Sequence, residues 1–371
     1  MSWCAWASAE LGGIDEQGRR RRVIDLDARG PLARMPDGRE VVTFASNDYL
    51  GLGSHPDVVA EGRAALERWG AGSGAARLIV GSRPVHSQLE RGLAEWKGTD
   101  RAVLFPTGFS ANVGVLSVFG TAGTLICSDA LNHASVVDGC RIAAAEVAVY
   151  PHRDLGALER LLEGSARAVV VTDAVFSMDG DEAPLHEIAA LCRRYAALLV
   201  VDEAHAVLGP RLASDECEMV RVGTLSKFLG AMGGFATGPS PLIDLVINRA
   251  RPFIFTTASS PADAGAALAA LGVFRSEEGE RLRARLRAHI DRIAPGHPSP
   301  IVPVVMGDEG AALGASEELL RRGYLVPAIR PPSVPAGTSR LRVTVSAAHS
   351  EEQVDQFAEV LAAVAGASIH A

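Results

Sequence analysis

The chain has 371 residues, of which 48% are hydrophobic and 22% charged, a composition typical of a globular protein with room for two or three domains. Its formal net charge of −8 argues against nucleic acid as the main partner. Neither a secretory signal nor a membrane span is predicted, because MSWCAWASAELGG lacks a basic leader and no run of about eighteen apolar residues is free of charge.

The five cysteines are scattered, odd in number and without the CxxC spacing of a zinc site. They predict a reducing compartment, so we expect a cytoplasmic protein without a structural metal. The cysteines are Cys4, Cys127, Cys140, Cys192 and Cys217.

Residues 1–47 are predicted to form an N-terminal segment, in which a short helix precedes the strand-like runs VIDLDARG and REVVTF around the turn at Pro36-Asp37-Gly38. The basic run 19–22 at the end of that helix has two interpretations. It is either a solvated helix face or a contact for an anion.

From about residue 55, segments with helical periodicity alternate with short apolar runs. The helical segments include PDVVAEGRAALERWG, PVHSQLERGLAEWKG and APLHEIAALCRRY; the apolar runs are RAVLF (101–105), GTLICSD (123–129), ARAVVVTD (166–173), AALLVVDEAH (196–205) and GGFATG (233–238). This alternation predicts an α/β domain over 48–265, with a largely parallel sheet between helices. The long helix SEEGERLRARLRAHIDRI, the strands PSPIVPVVMG and SRLRVTVS and the helix EELLRRG predict a smaller α+β domain over 266–371.

Ligands of such sheets bind outside the carboxyl ends of the strands. The stretches to inspect are therefore those that follow the apolar runs. They are TGF (107–109), NHAS (132–135), VFSMDG (175–180), DEAH (202–205) and TLSK (224–227).

The basic residues point to one lysine. Of 36 Lys and Arg residues only Lys97 and Lys227 are lysine. Arginine keeps the positive charge but is not deprotonated and forms no Schiff base, so a retained lysine is a candidate for covalent chemistry. The other lysine, Lys97, has no neighbouring sequence motif that suggests a chemical role.

The acid Asp202 ends one apolar run, and Lys227 follows in a Ser/Thr/Gly turn. This order suits pyridoxal 5′-phosphate, because the acid can pair with the protonated pyridine nitrogen and the lysine can bind the aldehyde. Free N–H groups at Gly108 and Phe109, with the Thr224 hydroxyl, suit the phosphate.

Each of these residues also has a structural interpretation. His133 alone is a loop histidine, Ser177 a turn residue and Asp202 a helix cap. Their position at successive strand ends favours a common cofactor site, with His133 stacked on the cofactor ring. A helicase is disfavoured, since DEAH in such proteins accompanies a GxxxxGK[ST] loop that this chain lacks.

The motifs occur in the order found in the α-oxoamine synthases, and the resemblance covers nearly the whole chain. They are SNDYLGL (46–52), GSGAARLIVG (72–81), HSQLE, TGFSAN, NHAS, VFSMDGD, VDEAH, TLSK and RPPSVPAGTSRLRVTVSAAH (330–349). The resemblance implies a fold-type I pyridoxal-phosphate enzyme that joins an amino acid to an acyl thioester with loss of carbon dioxide. The first and last motifs look most like members of the biotin pathway, which use L-alanine and a pimeloyl thioester of CoA or an acyl carrier protein.

The resemblance also implies roles for individual residues. Lys227 would form the Schiff base, Asp202 would pair with the pyridine nitrogen, and His133 would stack on the ring. The phenolic oxygen would be bound by His205 and Ser177. The phosphate would be bound by Gly108, Phe109 and Thr224.

Members of the family are homodimers with the active site at the interface. Thr257 of the partner subunit would therefore add a hydroxyl to the phosphate. Arg342 would hold the amino-acid carboxylate beside Asn47, while Arg21 and Ser333 would face the acyl substrate.

Two features of the sequence near Lys227 lead to further predictions. The segment VDEAHAVLGPRLASDECEMVRVGTLSK lacks a glycine-rich turn and about a dozen residues found in relatives, which predicts an altered cavity wall and a changed substrate access or thioester choice. The glycines after Lys227 are interpreted as room for the cofactor to move.

Two alternatives to the biotin-pathway function remain. The first is a sister synthase that uses glycine with acetyl- or succinyl-CoA, or serine with a long acyl chain. The second is a non-catalytic pyridoxal-phosphate protein, which the retention of Lys227, Asp202 and Arg342 disfavours.

Overall fold

The computed structural model describes residues 1–366. Its N-terminal part comprises helix α1 and three short strands that form an antiparallel ladder, α1 (Trp3–Glu16), β1 (Asp27–Arg29), β2 (Leu32–Arg34) and β3 (Glu40–Thr43). The large central part follows with helices and strands in alternation. Its helices are α2 (Pro56–Trp69), α3 (Pro84–Lys97), α4 (Gly108–Phe119), α5 (Ala134–Ile142), α6 (Leu155–Glu163), α7 (Leu185–Arg194), α8 (Ser240–Arg249) and α9 (Arg251–Ile254).

The central sheet has seven strands in the order β4-β10-β9-β8-β7-β5-β6. Four neighbouring pairs are parallel, and β10 runs antiparallel to both of its neighbours. The predicted α/β fold with a mostly parallel sheet is therefore confirmed. The strands are β4 (Arg101–Phe105), β5 (Leu125–Asp129), β6 (Glu146–Tyr150), β7 (Ala168–Asp173), β8 (Leu198–Asp202), β9 (Met219–Thr224) and β10 (Gly234–Gly238).

Helices cover the sheet on both faces because alternate strand residues point to opposite sides. On β8, Val200 packs into a core cluster with α4 residues such as Leu116. Its neighbours Leu199 and Val201 pack into another cluster with Ile188 of α7. The continuous apolar runs in the sequence reflect this burial on both faces.

Two strands of the central sheet, β6 and β9, are absent from the predicted set. β6 (EVAVY) lies at an edge of the sheet, and three of its five residues are exposed although four of them are apolar. β9 is fully buried but contains Arg221, which breaks the apolar pattern in the sequence. Arg221 is tolerated there because it pairs with the buried Glu203 at 2.6 Å.

The C-terminal part combines helices with a three-stranded antiparallel sheet in the order β11-β14-β13. Helix α10 runs without interruption across the predicted boundary at residue 265, and the division into domains stays a prediction. The elements are α10 (Pro261–Arg275), α11 (Glu277–Ile293), β11 (Ile301–Gly307), α12 (Glu309–Arg321), β12 (Tyr324–Leu325), β13 (Ala328–Ile329), β14 (Ser339–Thr344) and α13 (Glu351–Ala365).

The N-terminal strands join this C-terminal part. β3 pairs in parallel with β12, and Phe44 stacks between the rings of His349 and Phe357, with ring centroids 4.1 and 3.7 Å away. Sequence patterns gave no sign of this pairing, because both strands are short. Throughout residues 1–366, no helix is both long and apolar enough to cross a bilayer.

The imidazole of His152 ties the ends of neighbouring strands together. Its Nδ1 lies 2.9 Å from Asp129 at the end of β5, and its Nε2 lies 2.8 Å from Asp181 in the loop after β7. Burial lowers the pKa of His152, but the hydrogen bonds and charges of the two carboxylates outweigh burial and raise it to about 9. At neutral pH the cationic ring therefore anchors the loop that carries Ser177.

This cluster predicts a pH dependence of stability. Because the pKa of His152 in the folded state lies above its ordinary value of 6.5, its contribution is complete below that value and is lost as the pH rises through about 9. We expect the thermal unfolding midpoint to fall more between about pH 7 and pH 9.5 in the unmodified protein than in His152→Gln. Equal slopes in the two proteins would contradict the assignment.

Candidate active site

One cavity opens at the carboxyl ends of β4, β5, β7, β8 and β9. These strands run in the same direction, so they end at the same edge of the sheet. Seven of the residues predicted for the site line it together. They are Gly108, Phe109, His133, Asp202, His205, Thr224 and Lys227. Further lining comes from Ser135, Asp173, Val175, Ala204 and Ser226.

The carboxylate of Asp202 is buried, with 7% of the residue exposed, and held on both oxygens. Oδ1 accepts the N–H of Ala204 at 2.9 Å, and Oδ2 accepts Nδ2 of Asn112 at 2.6 Å. Asn112 also donates to the Ser135 hydroxyl at 2.9 Å. Asn112 was missed in the sequence, although an amide within the apolar helix SANVGVLSVF was a signal, since buried amides need partners.

Lys227 lines the same cavity as this carboxylate and lies within reach of its charge. Burial lowers the pKa of Lys227, and the charges of Asp202 and Asp173 oppose that shift without reversing it. The lower pKa increases the fraction of neutral amine at neutral pH, which nucleophilic and base chemistry require.

Asp173 is a second acid that the sequence analysis missed. It ends β7 in direct register with Asp202 on β8, and only 3% of it is exposed. Burial and then the neighbouring Asp202 charge raise its pKa well above the ordinary value. The signal was its position as the last residue of ARAVVVTD.

Two histidines complete the cavity. His133 is the N-cap of α5, its Nδ1 is 2.7 Å from the Ser135 hydroxyl, and burial lowers its pKa. Burial, then the charges of Lys227 and Arg342, lower the pKa of His205 well below its ordinary value. Both rings are therefore neutral at neutral pH.

A second group of predicted residues lies beside the cavity without lining it. Arg342 donates through Nε to the Ser177 carbonyl at 2.5 Å and through Nη2 to Oδ1 of Asn47 at 3.2 Å. The Tyr49 hydroxyl, which the sequence analysis did not single out, links this group to the cavity. It lies 3.0 Å from Asn47 and 2.6 Å from Nδ1 of His205.

The structure does not bring the other predicted residues to the cavity. Arg21 and Ser333 line a separate groove between the end of α1 and residues 328–333. Thr257 is exposed just before α10 and does not line the cavity of its own chain.

The start of α4 forms a cradle for an anion. The Thr107 hydroxyl caps the helix by accepting the N–H of Ser110 at 3.0 Å. The N–H groups of Gly108 and Phe109, in the first turn, have no partner within the helix. A Cβ at position 108 would lie 3.1 Å from Cβ of Thr224, so glycine allows the helix start and the Thr224 hydroxyl to approach one another.

Comparison with known proteins agrees with this geometry. The family model described as aminotransferase class I and II matches residues 39–361. The chain belongs to this family. It is 48% identical to an 8-amino-7-oxononanoate synthase of Anaeromyxobacter dehalogenans (strain 2CP-1), over 97% of this chain and 95% of the relative. It is 46% identical to one from Methylobacterium sp. (strain 4-46), over 97% of each chain.

A solved serine palmitoyltransferase of Sphingomonas wittichii superposes with a TM-score of 0.90 at 30% identity, over 98% of this chain and 97% of that one. The predicted resemblance to the α-oxoamine synthases and the fold-type I architecture are thus confirmed. The roles of individual site residues stay predictions.

The short loop of this α-oxoamine synthase lies elsewhere than expected. None of residues 206–218 lines the candidate active-site cavity of the same chain. The loop instead packs over Arg221, which donates to the Leu212 carbonyl. Within one chain the loop is therefore not part of this cavity's lining, and the altered wall and changed thioester choice stay predictions.

The glycines after Lys227 serve close packing rather than free space, which corrects the interpretation from sequence. Gly230 has φ of +62°, and a Cβ there would lie 2.1 Å from the backbone N of Gly53. A Cβ at Gly234 would lie 2.4 Å from the Thr107 backbone. The two glycines press the lysine loop against SNDYLGL and against the α4 cradle.

This packing predicts the effect of Gly230→Ala. Gly123 has a similar φ of +82° but nothing within 4 Å of its would-be Cβ, so Gly123→Ala is a matched control for backbone strain alone. That strain costs about 1 kcal/mol in each variant. We expect Gly230→Ala to lower the thermal unfolding midpoint by several degrees more than Gly123→Ala, and equal midpoints would show that the close approach is unimportant.

Proposed function

We propose that this protein condenses L-alanine with a pimeloyl thioester in biotin biosynthesis, releasing carbon dioxide and free thiol and forming 8-amino-7-oxononanoate. The observation that carries the proposal is the cavity in which Lys227 faces the buried Asp202 beside the α4 cradle. Near full-length likeness to relatives named 8-amino-7-oxononanoate synthase supports it.

The residues present fit pyridoxal 5′-phosphate. Asp202 is a buried carboxylate suited to a protonated pyridine nitrogen, and Lys227 is an amine suited to the aldehyde. Gly108, Phe109 and Thr224 offer N–H and hydroxyl donors to the phosphate. When bound, the cofactor stabilises negative charge on the carbon next to the substrate nitrogen.

The surrounding side chains would then handle the substrate. Lys227, with its lowered pKa, would take the proton from the α-carbon of alanine and later return one. The neutral ring of His133 would lie against the cofactor ring, and His205 and Ser177 would hydrogen-bond its phenolic oxygen. Arg342, held by Asn47, would bind the alanine carboxylate through its remaining N–H groups.

The acyl substrate is assigned to the groove at Arg21 and Ser333. Among the five arginines of the groove, Arg19 and Arg330 pair with Glu309 at 2.6 and 3.7 Å, and Arg20 pairs with Asp15 at 2.7 Å. Arg21 and Arg22 have no acidic partner in the described part of the chain. Arg21 is thus available for the distal carboxylate of a pimeloyl group.

A homodimer with the active site at its interface is part of the proposal, with the partner subunit's Thr257 on the phosphate. Exposed apolar side chains support such an interface, among them Ile79 and Val80, which are 74% and 70% exposed. Phe109 is 48% exposed and lines the cavity as well. A cytoplasmic location is supported by the five cysteines, all free in the structure.

Product analysis tests the substrate assignment. The protein loaded with pyridoxal phosphate is offered L-alanine with pimeloyl-CoA or with a pimeloyl carrier protein, and thiol release and product mass are measured. Glycine with acetyl- or succinyl-CoA and serine with palmitoyl-CoA serve as competing pairs. Faster turnover of a competing pair would replace the proposal with a sister synthase, and no turnover of any pair would favour a binding protein.

Lys227→Arg tests the lysine directly. Arginine keeps the positive charge but forms no covalent bond with an aldehyde at neutral pH. We expect pyridoxal phosphate to bind without the visible absorption band of the lysine-bound cofactor, and product formation to be lost. Product formation by Lys227→Arg would contradict the proposed role of Lys227.

A further inference from the structure

The second lysine of the chain lies in a buried ion cluster behind the candidate active site. Lys97 Nζ is 2.6 Å from Oε2 of Glu203, and Arg221 Nη1 is 2.6 Å from Oε1. The three side chains are 13%, 6% and 4% exposed, respectively. Each oxygen of the Glu203 carboxylate thus has its own cation.

Glu203 directly follows Asp202, and the two carboxylates point to opposite sides of the same turn. Asp202 lines the candidate active-site cavity with Lys227. Glu203 lines a different cavity with Lys97, Arg221 and the short loop. Each lysine of the chain therefore faces one of two adjacent acids.

The cluster connects three elements to this turn. Lys97 is the last residue of α3, and its ammonium lies 3.7 Å from the centroid of the Trp96 ring. Arg221 belongs to β9 and also donates to the Leu212 carbonyl in the short loop. The Glu203 N–H donates to the Val222 carbonyl at 2.8 Å.

The turn beyond Glu203 is held by its own backbone. The N–H of Ala206 donates to the Glu203 carbonyl at 3.1 Å, and that of Val207 to the His205 carbonyl at 2.9 Å. A displacement of Glu203 would therefore be transmitted to both Asp202 and His205, which flank it within three residues.

Charge keeps Glu203 ionised in this setting. Burial alone would raise its pKa, but Lys97 and Arg221 together lower it below the ordinary value. Removal of Lys97 would leave Arg221 to neutralise the charge. Oε2 would then be buried without its cation, and one of the two anchors of the carboxylate would be lost.

We infer that Lys97, acting through Glu203, is a positioning residue that holds Asp202 and His205 in place for the cofactor. The inference rests on the proposed use of pyridoxal phosphate at Asp202 and Lys227. It assigns a role to the one lysine that the reaction itself does not use.

The test compares Lys97→Met, Lys97→Arg, Glu203→Gln and the double variant Lys97→Met with Glu203→Gln. The measurements are the dissociation constant of pyridoxal phosphate, the pH titration of the lysine-bound cofactor's absorption band, and the thermal midpoint without cofactor. Arg292→Met is the control, since Arg292 also joins two carboxylates, those of Glu351 and Asp355, but links α11 to α13.

We expect Lys97→Met to weaken cofactor binding roughly tenfold and to shift the pH titration, with Lys97→Arg close to the unmodified protein because it restores the cation. In the Glu203→Gln background, Lys97→Met should add little, because the two residues act in series. Arg292→Met should leave binding and titration unchanged.

Two results would overturn the inference. One is a lower thermal midpoint of Lys97→Met with unchanged binding and titration, which would make the cluster merely structural. The other is an equal effect of Lys97→Met with and without Glu203. If Lys97→Met fails to fold, Lys97→Gln takes its place under the same criteria.

Failure of the proposed function is distinguishable from failure of this inference. Cofactor binding and its titration require neither alanine nor a thioester. A protein that makes no 8-amino-7-oxononanoate but responds to Lys97 in these measurements would reject the substrate assignment and retain the positioning role.

Discussion

The buried carboxylate of Asp202 is the constraint on which the arrangement of the site depends. A charge with so little exposure must be compensated, and the fold supplies an amide from α4, a backbone N–H and the nearby ammonium of Lys227. The N–H belongs to Ala204, two residues along the chain, but Asn112 and Lys227 come from other elements. Their convergence follows from the parallel sheet, which brings the ends of β4, β5, β7, β8 and β9 to one edge.

The two aspartates and two histidines of the site differ in their surroundings, and their pKa values shift accordingly. Asp173 and Asp202 lie side by side in register, and burial, followed by the charge of Asp202, raises the pKa of Asp173 well above its ordinary value. His133 and His205 are neutral because they are buried, and the positive charges of Lys227 and Arg342 add to that effect at His205. Lys227, whose pKa is lowered by burial, lines the same cavity as both acids.

The parallel α/β architecture and the residues at strand ends could be predicted from the sequence alone. Strands buried on both faces are continuous apolar runs in the sequence, and the strand-end residues directly follow these runs. The sequence was insufficient where a side chain is explained by a distant partner. β9 was missed because it contains Arg221, and a buried arginine is explained only by its partner Glu203. Asn112 was missed because its role depends on the hydrogen bond to Asp202, which the structure shows. Lys97 lacked a role for the same reason.

The pairing of β3 with β12 bears on how the molecule assembles. Val42 and Tyr324 are neighbours in space although most of the chain lies between them, and Phe44 completes its stack only against His349 and Phe357. Contacts of such sequence separation close slowly. On the ribosome, β1, β2 and β3 can pair with one another early, but the other edge of β3 has no partner until β12 is made, and Phe44 has no stacking partner until His349 and α13 follow. SNDYLGL, which carries Asn47 and Tyr49, therefore reaches its place late, and the site matures only when synthesis is nearly finished.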